Sequence, residues 1–226
     1  MSAIRPTRIL LVRHGATELT AEDSFAGETD VLLSDEGRDQ ARRLAERLEH
    51  VPVSAVFASP KSRTMETAKI LAEPHRLEVE AVPELREISH GHWEGRRRAE
   101  VERLFPDEYA RWEEDPFTFA PDGGETGLSV TARALPALLE IVNRHQGEHV
   151  LVVSHKATIR LLLSSVLGFD ARTYRDRLDQ DPCALNIFDF RDPARARLSL
   201  FNDTSHYSAT VPEIPSKRLS KWWDER

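Results

Sequence analysis

The sequence has one cysteine in 226 residues. A single thiol cannot close a disulfide within its own chain, so no disulfide-stapled secreted framework is expected. Long apolar runs are also missing. None approaches the length of a membrane span, and the opening stretch MSAIRPTRILLVRHG lacks the apolar core of a signal peptide. A basic surplus is absent as well: 31 Lys+Arg stand against 38 Asp+Glu, a formal charge of -7. Non-specific binding to nucleic acid or to an anionic membrane needs a net basic face, so neither partner is expected. No internal repeat, low-complexity segment or Gly/Ser linker divides the chain. What remains, 40% apolar and 31% charged residues, is the balance of a globular protein with one well-buried core. The expectation is a soluble, cytoplasmic protein forming one domain over residues 1–226. Composition leaves open whether this acidic chain handles an anionic ligand.

Hydrophobic periodicity predicts alternating strands and helices. Arg8–Val12 reads as a buried strand that stops at Gly15. Ser34 is placed to cap a helix whose apolar positions Ala41, Leu44, Ala45 and Leu48 share one face. Val53–Ala58 is a second strand, Arg63–Ala72 a helix ended by Pro74, and Glu78–Val82 a third, more charged strand. Later come a helix over Ser129–Arg144, with Pro136 kinking it or resetting its start, and the strand Val150–Val153. A helix from Thr158 to Leu167 ends at Gly168, and Ala184–Phe190 with Ala196–Phe201 read as a final strand pair. The tail after Pro212 is polar apart from Trp222-Trp223, which would dock on the body or on a partner. The segment from Ile88 to Gly127 reads differently, with a helix over Ala99–Glu114 and a long loop ending at Asp122-Gly123-Gly124. Such a stretch is expected to be a helical and loop insertion over a site. Repeated strand–helix units imply an α/β fold: three layers, with a mostly parallel central sheet and helices on both faces.

Two strands share an ending. Leu10-Leu11-Val12 leads into Arg13-His14-Gly15, and Leu151-Val152-Val153 leads into Ser154-His155. Ligands of open α/β sheets bind beyond the carboxyl ends of strands, so two histidines can meet over one pocket if their strands are neighbours. The plainer alternative is two unrelated surface histidines among the nine in the chain. Arg63 and Glu87 also follow strand ends. Guanidinium forks and imidazole donors suit phosphate oxygens, and a helix N-terminus adds backbone N–H groups. A carboxylate is out of place in an anion site unless it moves a proton to a leaving oxygen. An ordinary salt bridge from Glu87 to Arg86 or Arg13 is the competing reading. His90 and His92 flank Gly91, but no third ligand stands at a recognisable spacing, so no metal site is expected.

The segments LLVRHGATE, GETDVLLSDEG, ASPKSRTMETA, ELREISHGHWEG, PDGGET and VVSHKATIR occur in one order over about residues 8–168. In this the chain resembles the histidine phosphatase superfamily, in its phosphoglycerate-mutase-like branch. The resemblance implies that His14 is the nucleophile that takes the phosphoryl group. It makes Arg13 and Arg63 phosphate ligands, His155 a donor to phosphoryl oxygens, and Glu87 the acid that protonates the leaving group and then helps activate water. No metal or other cofactor is implied, because side chains supply the cations. The expected partner is a small phosphorylated substrate, and no oligomeric state is implied.

Four positions depart from the family pattern. Thr20 stands where Asn is common, Ser24 where Arg is frequent, Lys156 where Gly usually follows the second histidine, and Thr126 where Ser is usual. Thr20 and Lys156 are candidate substrate ligands. Lys156 either restores charge lost at Ser24 and meets a second anionic group, or points to solvent. The short middle segment favours a phosphatase over a cofactor-dependent mutase. A phosphate-binding protein without turnover is the remaining alternative, and it has no use for Glu87. Trp93, Phe117 and Phe119 are candidate pocket walls. Arg96-Arg97-Arg98 reads as a solvated face, and Phe201–His206 as a C-terminal turn that also follows a strand end.

Overall fold

Ile9, Leu10, Leu11 and Val12 are all buried, as residues of a strand covered on both faces must be. The computed structural model describes residues 5–21 and 24–209; Trp222-Trp223 lies outside them. In chain order its elements are β1 (Thr7–Arg13), α1 (Asp35–Leu48), β2 (Val53–Ala58), α2 (Ser62–Ala72), β3 (Val79–Ala81), α3 (Arg98–Leu104), α4 (Pro106–Glu114), α5 (Gly127–Arg144), β4 (His149–Ser154), α6 (Lys156–Leu167), α7 (Tyr174–Arg177), β5 (Leu185–Asp192) and β6 (Arg195–Asp203), joined by loops and short 3-10 turns. The sheet order is β3-β2-β4-β1-β5-β6. The first four strands in that order are parallel, while β5 runs antiparallel to β1, and β6 antiparallel to β5.

The expected three layers are present. Alternate residues of β1 and β4 face opposite sides, since side chains alternate along a strand. Ile9, Leu11, Val150 and Val152 pack with Leu138 and Ile141 of α5 and Ile159 and Leu162 of α6. Leu10, Val12, Leu151 and Val153 pack with Leu44 and Leu48 of α1 and Ala68 and Leu71 of α2. The predicted cap also forms: Ser34 Oγ accepts from Gly37 N at 3.1 Å. α1 enters against the loop leaving β1 so closely that a Cβ on Gly37 would stand 2.1 Å from the Ala16 carbonyl oxygen, and one on Gly15 2.5 Å from that of Gly37. Only glycine fits at these two positions.

The helices differ from the sequence reading in three respects. The helix expected over 99–114 is two helices, α3 and α4. Pro106 has no N–H to continue α3, and its ring pushes Phe105 out of helical geometry, to φ -132 and ψ 56. By contrast Pro136 does not interrupt α5. It and Ala132, whose carbonyl it leaves without a helical donor, are both exposed, which leaves that oxygen open to solvent. α6 starts at Lys156 rather than Thr158 and ends as expected, with Gly168 at φ 72. Among the described residues, no helix is long and apolar enough to cross a membrane.

Leu44 and Leu162 test the two packed faces. Leu44→Ala and Leu162→Ala are each expected to lower the unfolding free energy by about 2–5 kcal/mol in urea titrations, as cavity-forming core truncations do. A loss below about 0.5 kcal/mol, the range of surface substitutions, would contradict close packing at that face.

Candidate active site

The register of β1 against β4 pairs Arg13 with Ser154, so His14 and His155 leave adjacent parallel strands at the same height. Their ring centroids are 5.3 Å apart. His14 N donates to Ser154 O at 3.0 Å and Cys183 N donates to His14 O at 3.1 Å, which fixes the His14 backbone on both sides. The His14 ring has one tautomer open to it when neutral. Nδ1 lies 2.8 Å from the Gly15 carbonyl, which only accepts, so Nδ1 carries the hydrogen and Nε2 the lone pair. Burial, reinforced by the charges of Arg13 and Arg63, holds the His14 pKa well below its ordinary value. Burial does the same for His155, with Arg63 and His14 adding to it. Both rings are therefore neutral at pH 7. His155 Nε2 is 2.8 Å from Ser59 Oγ, and its Nδ1 is buried without a protein partner.

Arg13 and Arg63 are both buried. Arg13 Nη1 donates to Gln180 O at 2.7 Å, and Arg63 donates from Nη1 to Thr29 O at 2.8 Å and from Nη2 to Gly27 O at 3.1 Å. These acceptors are neutral carbonyls, so neither charge is cancelled by a directly bonded carboxylate. Arg13 Nε has no partner at all. Burial lowers the Arg13 pKa to about 10, with nearby Glu87 opposing the shift, and the group stays cationic at neutral pH.

Glu87 forms neither of the salt bridges weighed for it. Its Oε1 accepts from Ile88 N at 3.0 Å, Thr158 N at 3.1 Å and Thr158 Oγ1 at 3.2 Å, and its Oε2 accepts from Ala157 N at 3.1 Å. The side chain of His155, at the N-cap of α6, makes no capping bond. Glu87 thus caps α6 from a distant loop, taking N–H groups that a helix leaves unpaired. Arg86 turns instead to Glu125 at 2.8 Å.

Arg13, His14, Thr20, Arg63, Glu87 and Lys156 line one cavity of about 360 Å³ at the carboxyl edge of the parallel strands; His155, fully buried and edge-on to the His14 ring, does not itself line it. Thr20 is already engaged: its Oγ1 accepts from Thr17 N and shares a hydrogen bond with Thr17 Oγ1, both at 3.0 Å. Ser24 reaches the wall too. Lys156 is half-buried on the cavity wall, with Nζ 3.4 Å from Asp179. Its burial, with the charges of Arg160 and Arg13, pushes its pKa down to about 8.

The aromatic assignments are corrected. Trp93 is fully buried with Phe25, Val101, Tyr109 and Trp112, and Phe119 packs on that cluster. Phe117 packs with Ile88, Val130, Leu161 and Tyr174. None of the three lines the cavity; they hold the 88–127 segment to the body. The arginine triplet is not simply a solvated face: Arg97 is exposed, but Arg98 reaches Glu113 and lies over Trp112. His90 packs edge-on against Phe25, while His92 pairs with Glu108, and no metal-binding group of three or more His, Cys, Asp or Glu occurs among the described residues. Residues 201–206 stay outside the cavity, although Asn202 hydrogen-bonds Asp181, which lines it.

Asp181, Pro182 and His90 were missed as wall residues. Asp181 and Pro182 precede β5 rather than follow a strand. Because β5 is antiparallel to β1, its amino end lies at the site edge. No local pattern reveals that orientation; only pairing does.

Two imidazoles, two guanidiniums without a bonded carboxylate and one carboxylate stand at the carboxyl edge of an α/β sheet, a set of groups whose chemistry suits a phosphate-type anion. Residues 9–204 match the sequence profile of the histidine phosphatase superfamily (branch 1), and the chain belongs to that family. It is 36% identical over 163 residues to phosphoserine phosphatase 1 of Hydrogenobacter thermophilus, covering 72% of this chain and 77% of that one. It is 34% identical over 205 residues to phosphoglycerate mutase-like protein 4 of Arabidopsis thaliana, covering 89% and 87%. Among solved structures, YhfR of Bacillus stearothermophilus superposes with a TM-score of 0.83 at 31% identity, covering 88% of this chain and 98% of that one.

The two histidines make stability depend on acid. Each has a folded pKa below its unfolded value, so as pH falls below about 6.5 the unfolded chain takes up protons that the folded chain refuses. Stability is then lost, by at most about 1.4 kcal/mol per pH unit for each ring. His14→Gln is expected to flatten the decline in urea-unfolding free energy between pH 6.5 and 5. An unchanged slope would mean that the ring is charged in the folded protein.

Proposed function

We propose that the protein is a phosphatase that hydrolyses a phosphate monoester of a small metabolite through a phosphohistidine at His14. The observation that carries this reading is the His14 tautomer. With Nδ1–H held by Gly15 O, the lone pair on Nε2 is free to attack phosphorus at neutral pH. In the first half, His14 Nε2 forms the P–N bond as the P–O bond to the leaving group breaks, and Glu87 passes a proton to the departing oxygen. In the second, Glu87 takes a proton from water as water attacks phosphorus and the P–N bond breaks, releasing phosphate and restoring His14. Arg13 and Arg63 stabilise charge on the phosphoryl oxygens, the largest contribution in phosphoryl transfer. If Ser59 Oγ–H donates to His155 Nε2, the hydrogen of that neutral ring sits on Nδ1, which then donates to the same oxygens. Side chains thus supply the positive charge, and no metal or cofactor is required.

The cavity of about 360 Å³ suits a phosphoryl group with a small alcohol portion. Lys156 is the substrate ligand for a second anionic group on that alcohol. It sits at the first position of α6, where a cation opposes the helix dipole, and beside Arg13 and Arg160. Asp179 offsets these effects only in part, so a further anion on the substrate would be favoured there. The name of the relative phosphoserine phosphatase 1 fits a carboxylated alcohol. Thr20 completes the wall near the phosphoryl group. The insertion over 88–127 covers the site, and the chain acts as one unit in the cytoplasm.

Acid quenching during turnover of a phosphate ester should trap phosphate on His14, and His14→Ala should release none; turnover by that variant would overturn the nucleophile assignment. Interconversion of 2- and 3-phosphoglycerate faster than phosphate release would identify a mutase instead. For Lys156→Met, the ratio of kcat/KM for a carboxylated ester to that for an uncharged ester is expected to fall about ten-fold, or about 1.4 kcal/mol. For the unsubstituted protein, KM for the carboxylated ester should rise above pH 8, where Lys156 loses its charge. A ratio and a KM that stay constant would assign the second anion elsewhere.

A further inference from the structure

Residues 84–89 deliver Glu87 to the site, yet they form only a 3-10 turn and an extended stretch with no strand partner. The backbone oxygens of such a segment need partners from elsewhere, and here side chains provide most of them. Ser154 Oγ donates to Leu85 O and Thr158 Oγ1 to Arg86 O, both at 2.8 Å. Glu125 N donates to Ser89 O at 2.8 Å, and three further bonds, to the oxygens of Glu84, Arg86 and Glu87, come from one residue of α5. Arg133 donates from Nη1 to Glu84 O at 2.5 Å and to Arg86 O at 2.9 Å, and from Nη2 to Glu87 O at 3.1 Å. Its other two hydrogens go to Glu125, from Nε to Oε1 at 2.9 Å and from Nη2 to Oε2 at 2.8 Å. All five guanidinium donors are used, which is the full capacity of the group.

Glu125 closes the bracket from the other side. Its Oε2 accepts from Ser89 N at 3.1 Å, two residues beyond Glu87, and its Oε1 from Arg86 Nη2 at 2.8 Å. Burial alone would raise the Glu125 pKa, but hydrogen bonds from Arg133 and Ser89 and the charge of Arg133 hold it below its ordinary value, so the bracket stays ionic at neutral pH. The Arg133 side chain is 13% exposed and that of Glu125 18%, so solvent competes weakly for these bonds. Neither residue lines the cavity. We propose that Arg133, with Glu125, is a positioning residue that sets the Glu87 carboxyl at the distance and angle needed for proton transfer to the leaving oxygen.

The proposal rests on the reading of Glu87 as the acid, and leaving-group dependence separates the two. An alkyl phosphate needs a proton on its departing oxygen, whereas p-nitrophenyl phosphate departs as a stable phenolate and needs it far less. The value of kcat/KM reports the step that expels the leaving group, whatever the rate of phosphohistidine hydrolysis. For Glu87→Gln, kcat/KM should fall at least ten-fold more with the alkyl ester than with p-nitrophenyl phosphate. For Arg133→Met the same direction is expected, about three- to ten-fold, with the alkaline limb of the alkyl-ester pH profile displaced relative to the unsubstituted protein. Should Arg133→Met fail to fold, Arg133→Lys, which keeps the charge and loses the fork, is expected to show the same preference at smaller size. Equal losses on both esters in the folded arginine variants, with the preference intact in Glu87→Gln, would overturn the clamp alone. No leaving-group preference in Glu87→Gln would overturn the acid reading and the clamp with it.

Discussion

The structure depends on keeping two buried positive charges unsatisfied by any bonded carboxylate. Arg13 and Arg63 are held by the carbonyls of Gln180, Gly27 and Thr29. Carbonyls fix a guanidinium in space without neutralising it, so its field remains available to a ligand. A buried charge in this state is costly, and several neighbouring features reduce that cost or follow from it. Glu87 stands close enough to raise the pKa of both arginines without bonding either. The two histidines are neutral because both rings are buried, and the same positive field adds to that effect. His14 owes the free lone pair on Nε2 to burial, to that field and to one peptide carbonyl.

The amide network behind Arg13 keeps this arrangement rigid. Gln180 and Asn186 exchange two hydrogen bonds of 2.9 Å, and Asn186 Nδ2 also reaches Leu11 O. Gln180 therefore holds the guanidinium by its carbonyl, while its side chain is anchored on Asn186 of β5, which in turn bonds β1. Every buried polar atom in that exchange has a partner, which is the condition under which a polar core adds definition rather than strain.

The parallel half of the fold was legible in the sequence because its signals are local. Apolar runs ending in Gly15 and His155, a Ser34 cap and a Gly168 stop need no knowledge of the rest of the chain. The candidate site residues were legible for a related reason: parallel strands place their carboxyl ends together, so a residue after one strand meets a residue after the next. Features fixed by tertiary pairing were not visible. The role of Asp181 follows from the direction of β5, and the capping of α6 by Glu87 joins residues 70 positions apart. Trp93 and Phe117 illustrate the converse, since an aromatic residue in a site-covering segment has the same signature whether it faces ligand or core. Pro106 and Pro136 differ in outcome only because one closes a helix at its start and the other sits on a solvated face.

The antiparallel β5–β6 pair has a consequence for how such a protein can diverge. Asp181 and Pro182 reach the cavity from the turn before β5, and Asn202 and Tyr207 brace them through hydrogen bonds at 2.7 Å to Asp181 N and Pro182 O. That rim belongs to a stretch of chain which carries none of the residues assigned to phosphoryl transfer. Mutations there can accumulate and be selected for a new leaving group while the chemistry at His14 stays in place. One stretch of the gene would then record substrate history, and another the history of the reaction.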